Sequence, residues 1–216
     1  MSANPTLVTA AHFEYLAERT RGDDPFLQQL KAAAEQEGIP SIWISPAQAS
    51  FMALLLKAVR AREVVEVGTL AGYSALWMAR ALPAGGRVRS IEVSGKHADF
   101  AERWIGRSEV ADRIEVIRGP AREILPGFAA DSADAAFLDA DKVNYPHYLR
   151  ECLRIVRPGG LIMADNAFAF GQLLEAQPKD RDVPAIRAFN DLMARTPGLH
   201  AIIVPLGDGL WVGVKE

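Results

Sequence analysis

The sequence predicts an α/β fold, a doubly wound and mostly parallel sheet that follows a helical N-terminal region. Three observations predict it. From Glu63 onward, short and almost wholly apolar runs alternate with helical stretches, the pattern of a parallel sheet covered on both faces. Residues 1–60 instead carry apolar side chains at three- and four-residue spacing. The chain ends with two apolar runs joined through Leu206-Gly207-Asp208-Gly209, and Asp-Gly between such runs signals a hairpin.

Taken in order, His12–Thr20 and Pro25–Glu37 have helical periodicity, and Gly38-Ile39-Pro40 ends that region. Ser45-Pro46-Ala47-Gln48 reads as a helix start: serine caps, proline suits the first turn, and glutamine closes a capping box. This helix is expected to run to about Arg60. Five strands follow, over Val64–Val67, Arg87–Ile91, Ile114–Ile117, Ala135–Leu138 and Leu161–Ala164. Between them lie helices over Gly72–Leu82, Ser94–Gly106, Ala121–Ala129 and Tyr145–Val156. Asn166–Asp180 mixes phenylalanine, glycine, glutamine and proline, and reads as a loop over the site. Val183–Arg195 is a helix; Leu199–Pro205 and Gly209–Val214 are the closing strands. One domain accounts for all 216 residues, with 1–60 as a helical extension and 61–216 as the core.

Composition narrows the function. The formal net charge is −3 and the basic residues form no run, so neither nucleic acid nor an anionic membrane surface is an expected partner. The lone cysteine, Cys152, cannot staple the domain, which points to a reducing compartment. Met1–Ala10 lacks a basic region followed by an apolar one, and the apolar run Phe51–Leu56 is too short to span a bilayer. A cytoplasmic protein is the expectation.

In an open α/β sheet, ligands bind beyond the carboxyl ends of the strands. The first strand ends in Glu66-Val67-Gly68-Thr69-Leu70-Ala71-Gly72-Tyr73-Ser74. Gly68 and Gly72 allow a sharp turn and a close backbone approach. Ser74 falls in the first helical turn, where its hydroxyl and free N–H groups suit a carboxylate. Leu70 replaces the middle glycine of a dinucleotide fingerprint. Glu66 at the mouth of the loop would repel a pyrophosphate but pair with the ammonium of an amino-acid ligand. Glu92, at the end of the second strand, is placed to accept ribose hydroxyls, a device shared by nicotinamide and adenosylmethionine sites. Gly119-Pro120-Ala121 leaves room for an adenine ring, or is a plain strand-to-helix turn.

The fourth strand ends in Asp139-Ala140-Asp141-Lys142 and the fifth in Asp165-Asn166. Neighbouring parallel strands bring Asp139, Asp165 and Asn166 around one point. Two carboxylates and an amide oxygen suit a hard cation, Mg²⁺ or Ca²⁺, rather than zinc. Two vicinal hydroxyls would chelate such an ion, which stabilises the phenolate and orients it. Lys142, three residues beyond Asp139, is the candidate base. Trp43, Phe168, Phe170 and Trp211 are candidate aromatic walls for a planar acceptor.

Together these residues resemble the cation-dependent O-methyltransferases, the catechol and caffeoyl-CoA group, from about Ser45 to the C-terminus. The resemblance runs through the Glu66–Ser74 loop, Glu92, Asp139-Ala140-Asp141-Lys142-Val143-Asn144-Tyr145, Arg157-Pro158-Gly159-Gly160, Asp165-Asn166 and Pro205-Leu206-Gly207-Asp208-Gly209-Leu210. It implies a class I, Rossmann-like methyltransferase domain with a seven-stranded sheet, a late antiparallel strand and assembly as a homodimer. By it, Glu66, Gly68, Ser74 and Glu92 contact S-adenosyl-L-methionine, and Ala121 lies near the adenine. Asp139, Asp165 and Asn166 hold Mg²⁺, Ca²⁺ or Mn²⁺, Lys142 is the base, and Asp139 also approaches the cofactor's amino-acid end. The implied reaction is methylation of one hydroxyl of a small aromatic diol. The chain departs from the group at Pro120, where an acid is usual, at Ala47-Gln48-Ala49-Ser50, and at Ala167-Phe168. The alternatives are a nicotinamide-dependent oxidoreductase, which shares the fold and Glu92, and a module that binds adenosylmethionine without turnover.

Overall fold

Three of the helices begin where the sequence supplies a side-chain partner for a free N–H group. The computed structural model describes residues 8–216, so most of the Met1–Ala10 reading lies outside the described residues. The first helix, α1 (Ala10–Ala17), buries no side chain. In α2 (Pro25–Gln36), Asp24 accepts from the Leu27 N–H at 2.9 Å, and Leu27, Leu30 and Ala34 face inward. In α3 (Pro46–Ala58), the Ser45 hydroxyl accepts from the Gln48 N–H at 3.2 Å. Caps of this kind stabilise a helix by about 1 kcal/mol each. The capping box expected from Gln48 does not form, because its side chain is used elsewhere, as described below.

The sheet comprises β1 (Glu63–Val67), β2 (Arg87–Glu92), β3 (Ile114–Arg118), β4 (Ala133–Leu138), β5 (Val156–Ala164), β6 (Leu199–Val204) and β7 (Leu210–Lys215). Their spatial order is β3-β2-β1-β4-β5-β7-β6, and β7 runs opposite to the other six strands. The seven strands and the late antiparallel strand are those expected, and the closing hairpin tucks β7 inside with β6 at the edge. The interleaved helices are α4 (Tyr73–Ala81), α5 (Gly95–Ile105), α6 (Ala121–Ile124), α7 (Tyr145–Ile155) and α8 (Val183–Arg195).

Two elements differ from expectation. The helix expected over Ala121–Ala129 is a single α turn followed by a 3₁₀ turn at Leu125–Gly127. Pro126 lacks the N–H that would continue an α-helix, and Gly127 follows it. β5 starts earlier than expected. Val156 pairs with Ala133, and pairing resumes at Ala135↔Leu161, so Arg157–Gly160 bulges out between the two stretches.

Alternate strand residues face opposite layers, as a sheet covered on both faces requires. Val64, Ala135, Phe137 and Met163 pack with α2 to α5, whereas Val65, Val67, Ala136 and Leu138 pack with α6 to α8. β1 is flanked by β2 on one side and β4 on the other, with the chain's crossovers leaving in opposite directions. That reversal opens a crevice at the carboxyl ends of these strands. Among the described residues, no helix is long and apolar enough to cross a membrane.

Candidate active site

The crevice holds a cavity of about 400 Å³. It is lined by the ends of the first four strands, including Gly68, Glu92, Ala121 and Asp139, and by Trp43 on the loop between α2 and α3. The loop after β1 is shaped by sterics. Gly68 has φ +104°, and a Cβ there would overlap the Asp139 carbonyl oxygen. Glycine is therefore demanded by a neighbouring backbone, in addition to any ligand. Leu70 adopts φ +49°, and its N–H donates to Glu92 Oε2 at 2.8 Å. The other Glu92 oxygen accepts from the Ser94 N–H at 2.8 Å. Glu92 thus ties the ends of β1 and β2 together while facing the cavity. Gly72, with φ +82°, caps α4, and the first intrahelical bond there is from Leu76 to Gly72. The N–H groups of Tyr73, Ser74 and Ala75 precede it and have no carbonyl one turn back within α4.

Glu66 is fully buried beneath this loop. Its carboxyl group accepts from the Ser74 hydroxyl and from the Ser90 hydroxyl at 2.5 Å, and Thr69 in turn bonds Ser90. Burial pushes the Glu66 pKa up to about 8, against the two serine hydrogen bonds that lower it. The Ser74 hydroxyl is committed to Glu66, so what this turn presents to a ligand carboxylate is its backbone N–H groups.

The acidic pole lies beside Asp139. The register Leu138↔Ala164 sets Asp139 and Asp165 side by side at the tips of β4 and β5. Asp165 is 7% exposed. Its pKa is raised by burial first and then by the charge of Asp139. Lys142 is also 7% exposed; its ammonium donates to Asp139 Oδ1 at 3.1 Å and to the Tyr145 hydroxyl at 2.7 Å. Tyr145 donates onward to the Leu138 carbonyl at 3.1 Å, and burial raises its pKa. Asn166, with φ +65°, donates its side-chain nitrogen to Asp208 Oδ2 at 3.1 Å.

Among the described residues, no group of three or more His, Cys, Asp or Glu side chains is arranged to hold a metal. The donor set here is two carboxylates and one amide. It suits a hard divalent cation: two acids stand at adjacent strand tips, and the pKa of Asp165 is raised by burial and by the charge of Asp139.

Several residues differ from their expected place. Glu66, Lys142, Asp165 and Asn166 lie beside the cavity but do not line it. Of the four candidate aromatic walls, only Trp43 lines it. Trp211 is core, with its indole N–H donating to Asn190 at 2.6 Å. The Phe168 ring packs on Gly209, and Phe170 is 42% exposed. No residue of Asn166–Asp180 covers the cavity. That loop folds against α8, where the Arg187 guanidinium donates to the Leu173 and Glu175 carbonyls. The local sequence marks Gln48 as a capping residue. It is 1% exposed, and its amide donates to Asp165 Oδ1 at 2.6 Å. A signal for this was present, since Gln48 shares the inward face of α3 with Met52, and a buried amide requires a partner.

A family profile described as O-methyltransferase matches residues 17–216. A catechol O-methyltransferase of Mycobacterium tuberculosis is 40% identical over 183 residues, 85% of this chain and 83% of that protein. A catechol O-methyltransferase of Niastella koreensis is 39% identical over 197 residues, 90% of this chain and 86% of that one. The crystal structure of a Bacillus cereus O-methyltransferase in complex with SAH matches with a TM-score of 0.86 at 34% identity, covering 95% of this chain and 97% of that one. With this strand order, a cleft at the switch point and likeness along nearly its whole length, the chain belongs to the S-adenosylmethionine-dependent O-methyltransferase family.

Proposed function

We propose that this chain, acting as a homodimer, methylates one hydroxyl of a small vicinal-diol aromatic of the catechol, caffeoyl or flavonoid type. Asp139, Asp165 and Asn166 hold a divalent cation, and Lys142 takes the proton. The observation that carries this reading is the pair Asp139 and Asp165 at adjacent strand tips, beside the cavity, with Lys142 as their buried cation. The names of the two catechol O-methyltransferase relatives support the acceptor class.

Each residue then has a defined task. Glu66 and the N–H groups at the start of α4 receive the ammonium and carboxylate of adenosylmethionine. Glu92 receives the ribose, and Ala121 leaves room for the adenine. A bound divalent cation would lower the acceptor's pKa and orient its two oxygens. Lys142, held by Asp139 and Tyr145, accepts the hydroxyl proton once its amine is uncharged. The acceptor oxygen attacks the methyl carbon in line. The C–S bond breaks and its electron pair stays on sulfur, giving neutral S-adenosylhomocysteine. Much of the acceleration comes from positioning.

The test is methyl transfer to catechol and caffeate, with Mg²⁺ and with chelator. Transfer that requires the metal is expected. Equal transfer in chelator would remove the metal from the reaction, and no transfer to any vicinal diol would remove the acceptor class. Light scattering at twice the chain mass of 23.5 kDa checks the dimer.

A further inference from the structure

We propose that Asp208, in the turn between β6 and β7, is a positioning residue that fixes which way the Asn166 amide faces. This rests on the metal-site reading above. A terminal amide carries an oxygen on one side and an NH₂ on the other. Half a turn about its last bond would set a donor where a cation needs an acceptor. Asp208 is a carboxylate and only accepts. Its Oδ2 takes the Asn166 side-chain N–H at 3.1 Å and the Phe170 N–H at 2.8 Å, and its Oδ1 takes the Gly171 N–H at 3.2 Å. The nitrogen of Asn166 is thereby held toward Asp208 and the oxygen to the opposite side.

The turn itself is anchored. The Ala167 N–H donates to the Gly209 carbonyl at 2.9 Å, and the Phe168 N–H to the Asp208 carbonyl at 2.8 Å. Gly207 abuts the Gln48 side-chain oxygen so closely that a Cβ there would overlap it. Gln48 in turn holds Asp165. One turn, distant in sequence, therefore backs both Asn166 and the residue that orients Asp165. Outer-shell partners of metal ligands act in this way on ligand orientation.

The experiment measures Mn²⁺ affinity of the full chain by electron paramagnetic resonance, in the presence of S-adenosylhomocysteine, whose own affinity is measured separately. Asp208→Ala is expected to weaken Mn²⁺ roughly 10–100-fold, with S-adenosylhomocysteine affinity little changed. Asp208→Asn keeps one acceptor oxygen and is expected to retain most of the Mn²⁺ affinity. In the Asn166→Asp background a half turn exchanges oxygen for oxygen, and removing Asp208 also relieves repulsion between the two carboxylates, so Asp208→Ala is expected to cause no loss, or a gain, there. The double-mutant cycle thus reads the coupling between the two side chains, orientation and charge together. Equal loss in both backgrounds, or no loss in either, would overturn the inference while leaving the metal site standing. A wild-type chain that binds no Mn²⁺ would remove the metal site and this inference together.

Discussion

Replacing Glu66 by glutamine should make the ligand-free protein more stable at alkaline pH while weakening its hold on the cofactor. Glu66 is fully buried and its pKa is raised from 4.5 to about 8, with burial as the main cause. The folded chain therefore keeps a proton that the unfolded chain releases above pH 4.5. Between these two values the native state binds more protons, so stability falls as pH rises through the window, and levels off above about 8. Each pKa unit corresponds to 1.36 kcal/mol, so the full effect is on the order of 5 kcal/mol. Glu66→Gln has no proton to lose and removes this slope. The substitution keeps one acceptor oxygen for one serine hydroxyl, and its NH₂ donates to the other, so the network with Ser74 and Ser90 survives in altered polarity.

The assay is urea unfolding of wild type and variant, without ligand, from pH 5 to 9. The difference in unfolding free energy is expected to grow by several kcal/mol toward pH 8.5 in favour of the variant. At roughly 2–4 °C per kcal/mol for a chain of this size, the same change is visible as a shift of the melting midpoint. Parallel profiles across the whole range would refute the reasoning. A second readout uses S-adenosylhomocysteine. The proposed pairing of its ammonium with Glu66 requires the ionised carboxylate, so wild-type affinity should rise with pH up to about 8. The variant, which shares every titration of the ligand itself, should lack that rise.

Three further outcomes follow from the geometry. Lys142→Ala should lower turnover far more than cofactor affinity, and an unchanged pH profile of turnover would assign the proton to another group. Asp165→Ala should abolish activity toward diols while S-adenosylhomocysteine still binds; full activity of that variant in chelator would dismiss the metal. Gly68→Ala forces a Cβ into the Asp139 carbonyl at φ +104°, so a loss of at least about 2 kcal/mol is expected. Unfolding within about 0.5 kcal/mol of wild type, the range of an ordinary surface substitution, would show that the loop can relax.

What was legible in the sequence was what local periodicity and local chemistry decide. The apolar runs of β1 to β4 and the helical spacing of Val183–Arg195 mark elements that fold as read. So do the glycines of the first loop and the acids at the strand tips. What was not legible depends on contacts between distant segments. Asn166 and Asp208 lie 42 positions apart, and Gln48 and Asp165 lie 117 apart. In both cases a good local explanation, a hairpin turn or a helix cap, hid the second task of the residue. Trp211 was misplaced for a related reason. In a strand, side chains alternate between faces, and only the pairing Ile203↔Trp211 against α8 shows that its ring enters the core.

The distribution of charge explains why this scaffold takes a cationic cofactor. Among the described residues, the buried carboxylic acids and basic side chains are Glu66, Glu92, Asp165 and Lys142, three acids to one base, with Asp139 partly buried beside them. These acids gather at the carboxyl ends of β1, β2 and β5. Burying carboxylates without matching cations costs stability, and the raised pKa values of Glu66 and Asp165 are the sign of that cost. A cation that enters the site relieves it. Adenosylmethionine brings two positive centres, its ammonium and its sulfonium, whereas a dinucleotide would bring a pyrophosphate toward Glu66 and Glu92. The same electrostatics that weaken the empty protein therefore select its ligand, which is why the stability of Glu66→Gln and its affinity for the cofactor should move in opposite directions.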